Sequence, residues 1–174
     1  MDREASIRQA FETAQANDHY SGCSQAVLGA VQDTLGIGNA DSFRAATVLS
    51  GGVARRGETC GALLGALLAL GLAIGRDDMK DTAAYGRATD AAQPVIESFK
   101  DKIQSAFGLT EPLESTLCRD IQARIFGRSF VMYDKADLQA FLAAGGHDPD
   151  KCPQVCGIAA AVATEAILSQ KNDA

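Results

Sequence analysis

The sequence predicts an all-α fold, a compact bundle of six to eight helices. The apolar residues are mostly alanine and leucine, aromatic residues make up only 6% of the chain and tryptophan is absent, a composition that suits packed helices better than a sheet. Apolar residues also recur at helical spacing, and short joints rich in glycine and polar residues separate the segments. At 174 residues the chain has the length of one domain, which we take as residues 1–174.

The predicted helices follow one another with short connections. They cover residues 3–16, 23–35, about 59–75, about 79–107, 113–125, 135–143 and about 152–168. The 59–75 helix is apolar on nearly all sides, which predicts a central position in the bundle, with Thr59 as its N-cap and a glycine-rich loop before it. Residues 41–49 are either a short helix or, through "ATVL", a short strand. Pro94 is expected to break or kink the 79–107 helix.

Charge and hydropathy exclude several classes of protein. The net charge is −6 and the longest basic cluster is Arg55–Arg56, so nucleic acid is not an expected partner. The N-terminal stretch "MDREASIRQAFETAQ" is charged and has no apolar signal core. The apolar segment 60–74 is too short to span a membrane. We therefore expect a cytoplasmic protein without a membrane partner, and exposed faces of the alanine-rich helices would permit a homodimer.

Five cysteines are the most informative feature of the composition. In a reducing compartment they do not form a static disulfide framework, and an odd number cannot pair completely within one chain. They are then metal ligands, redox thiols or core residues, because cysteine is one of the most frequently buried residue types. No C-x-x-C motif is present, so any shared site has to be assembled from separate helices.

The cysteines concentrate at predicted helix starts. Four of the five lie there, namely Cys23, Cys60, Cys152 and Cys156, while Cys118 lies within the 113–125 helix. Unpaired N–H groups and the helix dipole favour a thiolate at such positions. His19 and His147 precede Cys23 and Cys152 by four and five residues. Each histidine is either a ligand or proton partner of the nearby sulfur, or a solvated turn residue.

The glycine loop before Cys60 has three possible roles: it binds a phosphate group, it serves the sulfur of Cys60, or it only turns the chain. "GVARRGET", residues 52–59, has the G-x-x-x-x-G spacing of a phosphate-binding loop, but Glu58 replaces the lysine that contacts the phosphates. This excludes a nucleotide. Either Gly51, Gly52 and Gly57 let backbone N–H groups approach what Cys60 binds, or they only form a turn.

The hexapeptide "CGALLG", residues 60–65, resembles the CGAxxG element of the C-GCAxxG-C-C family of redox-active proteins. The early stretch "CSQAVL" at residues 23–28, the later single cysteines and the leucine-rich "ALLALGLAIGR" extend the resemblance over about residues 20–168. It implies that the four family cysteines are Cys23, Cys60, Cys118 and Cys152. Cys156 departs from the family pattern and is a substitute for Cys152, a fifth ligand or a resolving thiol.

The resemblance also extends to a domain of split-Soret cytochromes, which implies an iron–sulfur centre of the 2Fe–2S type. Haem is not implied, because the chain has no C-x-x-C-H sequence. The favoured hypothesis is therefore an electron-transfer or redox-sensing protein that works with a redox partner. Its four cysteines would hold the cluster, and Gly51, Gly52 and Gly57 would supply backbone donors. Arg55 and Arg56 would favour negative charge at the site.

Three alternatives stay open from the sequence. The first is a thiol–disulfide oxidoreductase or peroxide-reactive protein with Cys60 as a nucleophile of low pKa, favoured by Arg55 and Arg56. The second is a structural zinc site built from the same four sulfurs. The third is a helical binding module in which the cysteines only pack the core.

Overall fold

The computed structural model describes residues 2–170, and within them the chain forms eight α-helices. They are α1 Arg3–Asn17, α2 Cys23–Leu35, α3 Ala40–Ala45, α4 Gly61–Ile74, α5 Thr82–Ala106, α6 Cys118–Phe126, α7 Lys135–Ala143 and α8 Cys152–Gln170. Single 3₁₀ turns follow α1 and α3, so residues 41–49 adopt the helical alternative. The described residues contain no strand, only an isolated antiparallel bridge between Thr59 and Leu117. The all-α prediction is confirmed.

Two local predictions are wrong. Thr59 is not the N-cap of α4; that position belongs to Cys60, because Thr59 is extended and pairs with Leu117. The same pairing keeps residues 113–117 out of α6. Of the break or kink expected at Pro94, the break is absent, because α5 continues through this residue. The carbonyl group that Pro94 leaves unpaired belongs to Asp90, an exposed residue, where water can take the place of the missing N–H group.

The core lies around α8, which packs against α1, α2, α4 and α5. The helix α4 is also in the core, against α2, α8 and α5, although Leu72 near its end is 42% exposed. Small residues allow the close approach of these helices. A Cβ atom at Gly65 would lie 2.4 Å from the carbonyl oxygen of Ser24 in α2, and one at Gly157 would meet the ring of Phe11 at 2.8 Å.

The helix α8 is the longest apolar element within residues 2–170. Its 19 residues are enough by length and composition to cross a membrane, whereas the segment singled out from the sequence forms the shorter helix α4. In the fold, 67% of the apolar stretch of α8 is buried inside the protein. This burial is typical of the core helix of a globular domain.

A small aromatic cluster lies beside the main core. Phe126, Phe130 and Phe141 pack edge to face, with ring centroids 5.6–5.7 Å apart. Met132 completes the cluster, and Cys152 packs against it from the start of α8. The cluster connects α6 and α7 to the end of the bundle where α8 begins.

Candidate functional site

All five cysteines line one internal cavity of about 200 Å³. Four of them stand at the starts of four different helices: Cys23 begins α2, Cys60 caps α4, Cys118 begins α6 and Cys152 begins α8. Cys156 lies one turn further along α8. The structure thus brings together sulfurs that are far apart in the chain. Cys118, which the sequence placed inside a helix, also lies at a helix start.

A short antiparallel pairing of two loop segments fixes Cys60 beside Cys118. The N–H group of Cys60 donates to the carbonyl oxygen of Thr116 at 2.8 Å, and the N–H group of Cys118 donates to the carbonyl oxygen of Glu58 at 2.7 Å. The side chain of Glu58 pairs with Arg119, with Oε1 and Nη1 3.0 Å apart. Glu58, which stands at the lysine position of a phosphate loop, therefore serves to join the glycine loop to α6.

The glycines of the CGAxxG motif have a packing role at this site. A Cβ atom at Gly61 would lie 2.5 Å from the sulfur of Cys23 and 3.0 Å from the carbonyl oxygen of Leu49. Gly65, one turn later, permits the close crossing of α4 and α2 described above. The motif therefore lets α4 begin directly against Cys23, so that Cys60 and Cys23 share the cavity.

The glycine loop forms a left-handed turn. Five consecutive residues, 51–55, have φ between 51° and 68°, and three of them are not glycine. Positive φ is unfavourable for L-residues and most of all for a β-branched residue such as Val53. A Cβ atom at Gly52 would lie 2.5 Å from the carbonyl oxygen of Glu58 and 2.7 Å from the Cβ atom of Cys118. The turn is thus packed tightly against the start of α6.

Backbone N–H groups favour the thiolate form of two of the cysteines. Those of Gly51 and Ser24 act on Cys23, and those of Ala62 and Leu63 act on Cys60. The glycine loop, which the sequence predicts to serve Cys60, instead places Gly51 against Cys23, and Cys60 uses the first turn of its own helix. Gly57 does not line the cavity and lies against the side chain of Arg119.

The two loop arginines lie in different places. Arg55 lines the cavity. Arg56 does not line it, and its guanidinium carbon lies 4.4 Å from the ring centroid of Tyr133. Of the two arginines predicted to favour negative charge at the site, Arg55 is the one at the cavity wall, whereas Arg56 stacks on an aromatic ring.

Burial raises the pKa of every cysteine thiol in the cavity. For Cys23 burial, reinforced by repulsion from Cys60, raises the pKa to about 12. The pKa values of the other four thiols are also raised, with burial the largest cause in each. The premise that Cys60 is a nucleophile of low pKa is thus wrong, because Cys60 is only 6% exposed and its thiolate is poorly solvated.

A buried carboxylate, which no sequence pattern predicts, faces the same cavity. Asp18 is 1% exposed, and its Oδ2 atom lies 2.8 Å from Nδ1 of His147. The thiol of Cys156 donates to Oδ1 of Asp18 at 3.4 Å, and Nε2 of His147 lies 3.1 Å from Oγ of Ser21. His147 lines the cavity, whereas His19 faces a separate surface pocket.

The remaining cavity wall is mostly apolar, with Ser21, Ser50 and Gln122 as polar members, and its apolar part comes mainly from α6, α7 and the aromatic cluster. It includes Ile121, Ile125, Phe126, Met132, Leu138 and Phe141. No three His, Cys, Asp or Glu side chains among residues 2–170 are arranged as the ligands of a metal ion. The donors are thus distributed over the wall of the cavity and are not gathered at one point.

The fold and the cavity define an all-α protein with an internal site lined by cysteines. The chain belongs to the C_GCAxxG_C_C family, whose description is "Putative redox-active protein" and whose family model matches residues 21–166. The resemblance inferred from the CGAxxG motif is confirmed. No curated protein and no solved structure matches the chain.

Proposed function

We propose that the cavity binds a 2Fe–2S cluster through Cys23, Cys60, Cys118 and Cys152, and that the protein transfers electrons or senses redox state. The observation that supports this most strongly is the convergence of four helix starts, each with a cysteine, on one cavity. Four cysteine thiolates are the usual ligands of such a cluster, which supplies one-electron reduction and oxidation when bound.

The electrostatics of the cavity favour an anionic occupant. The positive ends of α2, α4, α6 and α8 meet there, and Arg55 adds a cation. Free thiols make no use of this field, because their raised pKa values keep them neutral at pH 7. A group ligated by four thiolates is anionic and would be stabilised by the helix ends and by the N–H groups of Gly51 and Ala62.

Cys152 fits the fourth ligand position better than Cys156. Cys152 begins α8, in the same relation to its helix as Cys23 and Cys118 have to theirs. Cys156 is fully buried and its thiol has an acceptor of its own, the carboxylate of Asp18 at 3.4 Å. A thiol that donates this hydrogen bond keeps its proton, whereas a ligand sulfur must lose it.

The test is the iron and sulfide content of protein isolated without oxygen from an iron-replete host. We expect equal amounts of iron and sulfide and visible charge-transfer bands, both lost when Cys23, Cys60, Cys118 or Cys152 is replaced by serine. Cys156→Ser is the matched control, from the same helix and the same cavity, and should retain the cluster. Circular dichroism shows whether each variant is folded.

Three outcomes would contradict the proposal. Zinc without iron in the wild-type protein would indicate the structural zinc site. Colourless protein without either metal would favour the helical binding module. Loss of the cluster in Cys156→Ser but not in Cys152→Ser would assign the fourth ligand to Cys156.

A further inference from the structure

We infer that reduction of the cavity site is coupled to protonation of His147, through the buried carboxylate of Asp18 and the thiol of Cys156. This inference rests on the proposed function and adds to it a group that takes up a proton. It concerns residues outside the four proposed ligands.

A continuous chain of hydrogen bonds connects the cavity with the surface. The thiol of Cys156 donates to Oδ1 of Asp18 at 3.4 Å, and Oδ2 of the same carboxylate lies 2.8 Å from Nδ1 of His147. On the other side of the ring, Nε2 lies 3.1 Å from Oγ of Ser21, an exposed residue. The chain thus begins at a fully buried sulfur and ends where water can reach it.

Asp18 is the element of this chain that needs an explanation. A carboxylate that is 1% exposed is costly unless it is paired. Its only ion-pair partner among residues 2–170 is His147, whose charge depends on pH. The imidazole side chain is 23% exposed, so it can exchange a proton with solvent while Asp18 stays buried. The pair therefore suits a group whose charge changes during function.

The proposed step takes up one electron and one proton together. In the oxidised state His147 is neutral, with its proton on Nδ1; this N–H group donates a hydrogen bond to Asp18, and Nε2 is unprotonated. A one-electron donor then reduces the site, and the added negative charge favours a proton from solvent on Nε2, which forms the imidazolium. Oxidation releases one electron to the acceptor and one proton to solvent. Cys156 keeps its proton throughout and holds Asp18 against the cavity.

Several other titratable groups face His147, but Asp18 is the one that contacts the ring. Cys152 and Arg55 share the cavity with it, and Glu12 and His19 share the surface pocket on its other side. The hydrogen bond from Asp18 raises the pKa of His147, against the opposing effect of burial. The ion pair with Asp18 thus favours the protonated form of His147.

The first experiment measures the midpoint potential of the cluster-loaded protein as a function of pH, with dithionite as the electron donor. For one proton per electron, a tenfold rise in proton concentration should raise the potential by about 59 mV. We expect this slope over the pH range in which His147 titrates, both in the wild type and in His19→Gln, which removes the other histidine, and a flat profile in His147→Gln.

The second experiment uses the metal-free protein and follows the imidazole resonances by NMR as the pH changes. The pKa of His147 should lie above the ordinary histidine value, because the carboxylate of Asp18 favours the imidazolium, and Asp18→Asn should lower it. A pKa of His147 that is the same in the wild type and in Asp18→Asn would overturn the pairing on which the inference depends.

Different results would contradict the proton coupling and the proposed cluster function. A wild-type potential that is independent of pH would overturn the coupling and leave the cluster in place. The absence of any redox signal would overturn the proposed function and the coupling with it. A pH slope that persists in His147→Gln would assign the proton to another group and contradict the inference.

Discussion

Gly61 belongs to the CGAxxG motif of the family and also contacts a cysteine of the cavity. It is the first residue of α4 and faces the sulfur of Cys23, which leaves no room for a side chain. A larger residue would push α4 away from α2 and separate Cys60 from Cys23. The glycine of the motif is therefore needed for the position of the two sulfurs and not only for the turn before the helix.

Replacement of Gly61 by alanine should destabilise the protein by about 1–3 kcal/mol, because the new methyl group would overlap the sulfur of Cys23. The cluster content should fall in the same variant. Urea denaturation and iron analysis measure the two effects.

Gly71→Ala provides the control within the same helix. No atom lies within 4 Å of a Cβ built at Gly71, so alanine there should stabilise α4 by about 0.5–1 kcal/mol. Equal stability of the Gly61→Ala and Gly71→Ala proteins would mean that the contact with Cys23 is unimportant.

The left-handed turn over residues 51–55 is an unfavourable element of local structure, because three of its five residues are not glycine. Each non-glycine residue with left-handed φ costs roughly 1–2 kcal/mol relative to the right-handed conformation. Tertiary contacts hold the turn in place, with Gly52 packed against Glu58 and Cys118. Because Gly51 and Arg55 of this turn line the cavity, the strain lies at the site itself.

The strain predicts that Val53→Gly stabilises the protein, by about 1 kcal/mol, because glycine adopts positive φ without a steric cost. Val131→Gly is the control, since Val131 is exposed and lacks positive φ. There glycine should be neutral or destabilising by up to about 1 kcal/mol. Thermal denaturation compares the two, and a Val53→Gly protein less stable than wild type would contradict the strained turn.

Local sequence signals predicted the helices well and failed where distant segments pair. Apolar periodicity is a property of one segment, so α2, α7 and α8 were predicted nearly to their ends. The start of α6 and the cap of α4 depend on the pairing of Thr59 with Leu117, 58 positions later, which no local pattern contains.

The cysteines of the site could be predicted, whereas its carboxylate could not. Cysteines are rare and their positions match a family motif. Asp18 lies in the polar segment "NDHYSG", where an acidic residue is normally exposed, and only the docking of α8 buries it against Cys156. Its signal in the sequence is limited to its position five residues before Cys23.

The raised pKa values of the five cavity thiols make the free energy of unfolding of the whole metal-free protein decrease at alkaline pH. The folded-state pKa of Cys23 is raised from 9.0 to about 12, so the unfolded chain loses this proton first. The stabilising contribution is complete below pH 9 and is lost as the pH rises toward 12.

We therefore expect the free energy of unfolding of the metal-free protein to fall between pH 9 and pH 11. Cys23→Ala removes this thiol and should show a smaller fall over the same range, so that the difference between the two proteins isolates Cys23 from lysine and tyrosine. Urea denaturation at fixed temperature provides the measurement. Identical pH profiles for the two proteins would show that Cys23 is solvated in the folded state.

X-ray absorption at the iron edge of oxygen-protected protein is the most direct test of the claim that four cysteines hold an iron–sulfur cluster. If Cys23, Cys60, Cys118 and Cys152 surround a cluster, iron should have only sulfur neighbours and a second iron nearby. Iron coordinated by oxygen or nitrogen in the wild type, or no bound iron, would contradict the claim.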